Sequence, residues 1–226
     1  GVLMIGHAHM GGFGSIEGVA AAKAEIVAGL RPDATAILNA DDARAAAMAE
    51  LAPARVLTFS SQGRAADLRA ENVVLDAAAR AAFDLHLPEL DEPRRVQLAV
   101  AGAHNVANAL AAAGLALAAG LAPELIAERL GSVSIESPHR MDVSELGGDL
   151  LLIDDSYNAN IDSMTAALAV LPALAGDRRR VVVVSEMLEL GESSAADHAR
   201  TGELAAQAGA AMLIGIGSTQ EALEAA

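Results

Sequence analysis

The chain has 226 residues, 53% of them hydrophobic, a net charge of −15, one Tyr, three Phe, no Trp and no Cys. That length allows one large domain or two smaller ones with a sizeable core, while the acidity and the few aromatic rings argue against a nucleic-acid binder, which needs a basic stripe or stacking platforms. The missing cysteines exclude disulfides and thiolate metal sites, and no apolar run nears the roughly 20 residues of a membrane span.

Val2 to Ile5 predicts a short strand ending at a Gly-rich loop that carries His7 and His9. In an extended segment residues two apart point the same way. Neutral imidazole is a common metal ligand, so both could serve one site; as polar loop residues they need no further role. Gly11-Gly12-Phe13-Gly14-Ser15 lacks the Gly-Lys-Ser/Thr of a P-loop and the spacing of a dinucleotide fingerprint. It resembles a phosphate-binding turn, since free N–H groups at a helix start attract anions, but a tight turn before Ser15, a good N-cap, explains it better. From Ser15 a helix is expected, with Ile16, Val19, Ala20, Ile26, Val27 and Leu30 on one stripe at about 100° per residue. Lys23 falls in the middle of that stripe and is the only lysine in the chain. In a chain that otherwise uses arginine, it points to chemistry that a guanidinium cannot do. A desolvated amine can lose its proton, then be modified or act as a nucleophile. The alternative is a stem packed on the apolar face with its head snorkelling to water, and periodicity alone favours that alternative.

A strand at Ala34–Leu38, a helix opened by Asn39-Ala40-Asp41-Asp42 and running to about Leu51, and a strand at Arg55–Ser60 continue a rhythm that argues for a parallel sheet. Asp67–Leu75, Ala82–Leu87 and Val96–Ala101 read as three more strands, an antiparallel edge on that sheet. His104–Ala119 and Pro123–Leu130 read as helices. Asn105 and Asn108 share a helix face, and a carboxamide matches the donor and acceptor of adenine N6 and N7. Capping by Asn105 explains it equally. The polar, turn-rich residues 131–140 predict a boundary near residue 136, between domains of residues 1–135 and 136–226. Arg140, after a Pro-His turn there, could reach a phosphate.

Met141–Leu146 and Leu150–Ile153 read as a hairpin around Gly147-Gly148. Asp154-Asp155-Ser156-Tyr157-Asn158-Ala159-Asn160 ends a buried strand, where ligands of parallel sheets bind. A carboxylate there can accept both hydroxyls of a ribose; a polar turn capping the next helix is the alternative. A helix from Ser163 to about Leu174, a strand Val181–Val184, a helix Ala195–Ala208, a strand Ala211–Ile216 and a helix from Ser218 follow. Arg178 to Arg180 reads as a solvated loop. The expected fold class is α/β: a mostly parallel central sheet with helices on both faces and an antiparallel edge, then a second, Rossmann-like α/β domain.

GHAHMGGFGS, AAKAEI, LNADD, GAHNVANALAA, SPHRMDV, DDSYNANIDSM and EMLELGE, in that order, resemble the Mur ligases, ATP-dependent amide ligases of peptidoglycan synthesis, over nearly the whole chain. The resemblance implies that Lys23 is carbamylated by carbon dioxide, so that a cation becomes an anion helping to hold Mg²⁺, with His9 as a Mg²⁺ ligand. It implies that Asn105 and Asn108 hold the adenine of ATP, that Asp155 holds the ribose, that Arg140 approaches the phosphates, and that Asn158 and Asn160 belong to the same nucleotide-binding set. The pairs GFGS with AKAEI and DSYNAN with EMLELGE are most like the branch that adds D-Ala-D-Ala to UDP-N-acetylmuramoyl-tripeptide through an acyl phosphate. Domain closure near residue 136 would bring the reactants together. A cytoplasmic monomer without nucleic-acid or membrane partners is expected.

Two departures qualify the resemblance. The family's P-loop, a Mg²⁺-binding glutamate and a UDP-sugar domain are expected upstream, and more of the C-terminal domain downstream, so this chain alone is expected to be inactive. Ser185 stands where the family usually has Gly. Other Mur ligases and folylpolyglutamate synthetase share the lysine and nucleotide features. A nucleotide-binding module without ligase activity is the reading from a different class.

Overall fold

The computed structural model describes residues 1–6, 10–133 and 137–217. His7, His9, the boundary near residue 136 and the helix expected from Ser218 lie outside the described residues. Two compact units emerge: one of residues 1–6, 15–76 and 80–133, the other of residues 137–217 with the short pieces 10–14 and 77–79.

The chain begins with α1 (Met10–Phe13), a single helical turn, and α2 (Ile16–Ala28). Ser15 is the N-cap of α2, its hydroxyl accepting the Gly18 N–H at 3.1 Å, as the sequence suggests. Val19 and Val27 are buried, whereas Ile26, at the rim of the expected apolar stripe, is 61% exposed. β1 (Thr35–Asn39) leads into α3 (Ala43–Ala47), which tightens into a 3₁₀ turn at Met48–Leu51. β2 (Arg55–Ser60), β3 (Leu68–Leu75), β4 (Arg80–His86) and β5 (Arg94–Ala101) complete one sheet in the order β1-β2-β3-β4-β5. β1, β2 and β3 pair in parallel, and β3, β4 and β5 pair antiparallel, so the expected antiparallel edge is present.

The burial patterns follow from that topology. The last four residues of β1 are all buried, as in a parallel strand covered on both faces. β5 alternates, with Val96 and Leu98 inside and their neighbours Arg95 and Gln97 outside. α4 (Asn105–Ala118) lies across β1, β2, β3 and β5, and α5 (Pro123–Leu130) packs on β5. Phe59, Phe83, Leu85 and Leu110 are fully buried in the resulting core, each contributing roughly 1.5–3 kcal/mol of transfer free energy. Gly114 allows the close approach of α4: a Cβ there would stand 2.8 Å from Cγ2 of Ile37.

The first strand expected at Val2–Ile5 is reduced to one parallel bridge, Val2 to Leu38. Val2 N–H donates to Ile37 O and Val2 O accepts from Asn39 N–H. Beyond Val2, side chains take the backbone groups that a ladder would use. Asn39 Nδ2 donates to Leu3 O at 2.8 Å, Lys23 Nζ to Met4 O at 2.9 Å, and Ile5 N–H donates to Asp42 Oδ2 at 2.6 Å.

The second unit opens with the antiparallel hairpin β6 (Asp142–Gly147) and β7 (Leu150–Asp154). Its two loop residues, Gly148 and Asp149, have φ of 60° and 63°, the signature of a type I′ turn. α6 (Ile161–Ala175) starts two residues before the expected Ser163, because Asn160 is the cap: its side chain accepts Ser163 N–H while Ser163 Oγ accepts Asn160 N–H. β8 (Val181–Ser185) and β9 (Met212–Ile216) pair in parallel, with α7 (Ser194–Gln207) between them in sequence. Leu168, Val182, Val184, Ala205 and Ala208 form the core of this part. Arg178–Arg180 is not simply a solvated loop. Arg178 reaches Asp149 and Glu145 on the hairpin, and Arg180 donates to Ala208 O and Gly176 O, carbonyls just past the ends of α7 and α6. Among the described residues no helix is long and apolar enough to cross a membrane.

Candidate functional site

In the first unit the polar side chains gather where β1 ends. Asn39 is buried and bidentate: Nδ2 holds Leu3 O and Oδ1 accepts Asp41 N–H at 2.8 Å. Asp41 reaches the end of β2, accepting from the buried Ser60 hydroxyl at 2.6 Å and from Ser61 N–H at 2.8 Å. Asp42 caps α3 through Arg44 N–H and Ala45 N–H and uses its second oxygen on Ile5 N–H. The LNADD motif thus fixes the segment 2–5, and with it the Met4 carbonyl that faces Lys23.

Lys23 is half-buried in the middle of α2. Its head does not simply snorkel to water, since Nζ donates to Met4 O. Mg²⁺ is a hard ion that takes oxygen ligands, so an amine nitrogen is a poor one for it. Among the described residues, no three His, Cys, Asp or Glu side chains cluster as a metal site. Lys23 therefore fits a Mg²⁺ ion only with oxygens added to its nitrogen, and His9 lies outside the described residues.

Asn105 and Asn108 are brought together at the start of α4. Asn105 is the first helical residue, not the cap, so the capping alternative fails; His104 holds the cap position. Asn105 Nδ2 donates to Ala101 O at 2.7 Å and Asn105 Oδ1 accepts from Asn108 Nδ2 at 2.9 Å. Gly102 makes the turn possible: with φ at 106°, a Cβ would fall 2.5 Å from the His104 ring.

In the second unit the polar groups stand where β7 ends. Asp154 Oδ2 meets His139 Nδ1 at 2.7 Å, and Asp154 Oδ1 accepts from Ser156 N–H and Oγ. The Ser156 hydroxyl first, then His139, hold the Asp154 carboxyl down to about 2. Asp155 Oδ1 accepts Met141 N–H at 3.0 Å, and Arg140 lies over the Tyr157 ring, 4.1 Å from its centroid. Asn158 Oδ1 accepts Ala159 N–H, and Asn160 caps α6. A cavity of about 820 Å³ opens beside these residues, between β7 and β8, and takes in the loop after each strand.

Sequence reasoning missed His198, which is buried in α7. Met187 N–H donates to Nε2 at 3.0 Å and Nδ1 lies 2.7 Å from Ser194 O. These partners require the neutral imidazole with its proton on Nδ1. His198 thereby pins the loop after β8 to the helix that follows it. The signal was available: His198, Thr201, Gly202 and Ala205 form the buried stripe of α7, and a polar ring on such a stripe needs partners.

Comparison with known proteins shows the family. The UDP-N-acetylmuramoyl-tripeptide--D-alanyl-D-alanine ligase of Mycobacterium tuberculosis (strain ATCC 25618 / H37Rv) is 42% identical over 221 residues, covering 96% of this chain and 43% of that enzyme. The enzyme of the same name from Escherichia coli (strain K12) is 39% identical over 220 residues, covering 97% of this chain and 47% of that enzyme. The chain thus spans less than half the length of the curated relatives it matches. A crystal structure of MurF from Acinetobacter baumannii superimposes with a TM-score of 0.86 at 34% identity, over 98% of this chain and 47% of that one. A MurF ligase from Thermotoga maritima in complex with ADP gives 0.73 at 24% identity over 89% of this chain and 45% of that one, a likeness of fold. The family model for the Mur ligase middle domain matches residues 2–116, and that for the Mur ligase glutamate ligase domain matches residues 139–226. Carrying both models in sequence order, and a Mur ligase fold over nearly all its length, the chain belongs to the Mur ligase family.

Proposed function

We propose that the chain is part of an ATP-dependent ligase that adds D-Ala-D-Ala to UDP-N-acetylmuramoyl-tripeptide in peptidoglycan precursor synthesis. The observation that carries this reading is the 42% identity, over 96% of the chain, to enzymes of that name. Residues 1–135 would be the central ATP-binding domain and residues 136–226 the start of a C-terminal domain. The protein would act as a cytoplasmic monomer without nucleic-acid or membrane partners.

The reaction is acyl activation. ATP phosphorylates the terminal carboxylate of the peptide; the amine of D-Ala-D-Ala attacks the acyl phosphate, a tetrahedral intermediate collapses, and phosphate leaves. Lys23 would add carbon dioxide and offer carbamate oxygens to Mg²⁺ together with His9. The ion would neutralise phosphoryl charge. Met4 O, held in place through the LNADD contacts, orients the Lys23 nitrogen in the meantime. Asn105 and Asn108 would hold adenine, and Asn108 must then exchange its bond to Asn105 for one to the base. Asp155 has one oxygen on Met141 N–H, which leaves the other for a ribose hydroxyl. Arg140 would serve the phosphates, and Asn158 and Asn160 would line the nucleotide.

The test is phosphate release by the gene product that contains this chain, with ATP, Mg²⁺ and UDP-N-acetylmuramoyl-tripeptide, with and without D-Ala-D-Ala. Release that needs D-Ala-D-Ala supports the proposal. Release only with another amino acid moves the protein to a different Mur ligase, and none with any acceptor favours a nucleotide-binding module. The carbamate has its own test: Lys23→Ala should lose activity and regain part of it with short carboxylic acids. Full activity without rescue would remove that role.

A further inference from the structure

Arg140 sits in a turn that its sequence does not favour. His139 and Met141, on either side of it, have φ of 61° and 48°, a left-handed region that residues other than glycine rarely take. Such a conformation persists only where surrounding contacts over-determine it. Four do so here. Tyr157 N–H donates to His139 O, Asp155 Oδ1 accepts Met141 N–H, the His139 ring meets Asp154, and the Arg140 guanidinium stacks on Tyr157. The first two anchor the backbone at the ends of the turn. The contact between His139 and Asp154 is the only one of the four that ties a side chain of the turn to the end of β7 by a charge-assisted hydrogen bond, the strong kind. Asp154 is itself fixed, because its other oxygen is taken by Ser156.

We propose that His139 and Asp154 form a positioning pair, which holds the turn 138–141 in its left-handed form and so seats Arg140 on the ring of Tyr157. Were residue 139 to relax to an extended conformation, Arg140 would swing away from that ring. The titratable and charged groups around His139 are Asp154 and Asp155 at the end of β7, Asp142 opposite Asp154 in the β6–β7 ladder, and Arg140 itself. Protonated His139 pairs with Asp154 as an ion pair. The His139 ring bonds to the Asp154 carboxylate at 2.7 Å, so removing either partner loosens the seat. That Arg140 serves a nucleotide phosphate rests on the function proposed above, but its seating does not.

The chain supplies its own reporter, since Tyr157 is the only tyrosine and there is no tryptophan. Tyrosine-labelled protein gives one set of ring signals, and their cross-peaks to the Arg140 side chain measure the seat directly. In the 226-residue chain, those cross-peaks should be present and strong, as the 4.1 Å stack requires. Asp154→Asn and His139→Asn should each lower the population of the stacked state about two- to fivefold, the range for an exposed cation–π contact. Arg140→Ala gives the reference signal of the unstacked ring. Asparagine tolerates the left-handed region and His139 is more than half exposed, so His139→Asn remains informative if Asp154→Asn does not fold. Cross-peaks unchanged in His139→Asn would overturn the proposal. An Arg140→Ala gene product with full ligase activity would instead count against the nucleotide role and leave the pair standing.

Discussion

Asp42 is the side chain on which the Lys23 site most depends, and its removal has a calculable cost. In Asp42→Ala, α3 loses its cap, since Arg44 N–H and Ala45 N–H both donate to Oδ1; a lost cap costs about 1 kcal/mol. Ile5 N–H, 2.6 Å from Oδ2, loses a bond to a charged acceptor worth about 1.5–2 kcal/mol. The expected destabilisation is therefore about 2.5–3 kcal/mol, or roughly 1 M in urea midpoint. Asp42→Asn separates the two contributions. An asparagine oxygen still caps α3, but the amide nitrogen then faces the Ile5 donor, so only the smaller part of the stability should survive. Urea denaturation by far-UV circular dichroism measures the totals, and hydrogen exchange at Ile5 and Ala45 assigns them. Ile5 should lose protection in both variants and Ala45 only in Asp42→Ala. A change below about 0.5 kcal/mol in Asp42→Ala, the scale of a surface substitution, would refute the assignment of segment 2–5 to side-chain control.

Two further outcomes follow from single distances and one carboxyl group. Gly114→Ala would gain up to about 1 kcal/mol of helix propensity but drives a methyl to 2.8 Å from fully buried Ile37; a net loss of about 1–2 kcal/mol in denaturant titration is expected, and a more stable variant would show that α4 can shift. Asp154, held down to about 2 by Ser156 and His139, has a folded value below the unfolded one of about 3.9. Its contribution to stability is therefore fully present above the unfolded value and disappears as pH falls through about 2. Carboxyl NMR of Asp154 checks this, and a midpoint near 4 would contradict the contacts.

The hydrophobic pattern made most elements legible, because burial and period are local. Arg55–Ser60 and Pro123–Leu130 have the bounds expected from pattern alone. What pattern could not show was competition for backbone groups. Val2–Ile5 is as apolar as a strand, yet it leaves the ladder because Asn39, Lys23 and Asp42 take its carbonyls and an amide. Those partners stand 36, 19 and 37 residues away, beyond any local rule. Arg178 and Arg180 were misread for the same reason, their partners lying about 30 residues off. Lys23 was legible as an anomaly, a lone lysine on an apolar stripe. The carbamate proposed for it was not, because the addition of carbon dioxide would leave no trace in a hydrophobic pattern. His198 carried the same kind of anomaly on α7 and would have been found by asking of every buried stripe which polar residue interrupts it.

Both units place their polar side chains at the carboxyl ends of strands, and in both most of those side chains hold backbone. Asn39, Asp41 and Asp42 bind three different segments to the end of β1. Asp154 and Asp155 bind the turn at 139–141 to the end of β7, and Asn160 caps α6. Such side chains are poor candidates to leave their partners for a ligand, since each departure exposes an unpaired backbone group. Among the residues proposed to serve the nucleotide, those free to change partners at lower cost are the ones whose bonds join side chain to side chain or ring to cation, namely Asn108 on Asn105 and Arg140 on Tyr157. Ligand-induced change should therefore concentrate at Asn108 and Arg140, while Asn39, Asp42 and Asn160 keep the contacts described here. On this reasoning the strand ends supply a rigid frame, and movement on ligand binding falls to the few side chains whose release leaves no backbone donor or acceptor unsatisfied.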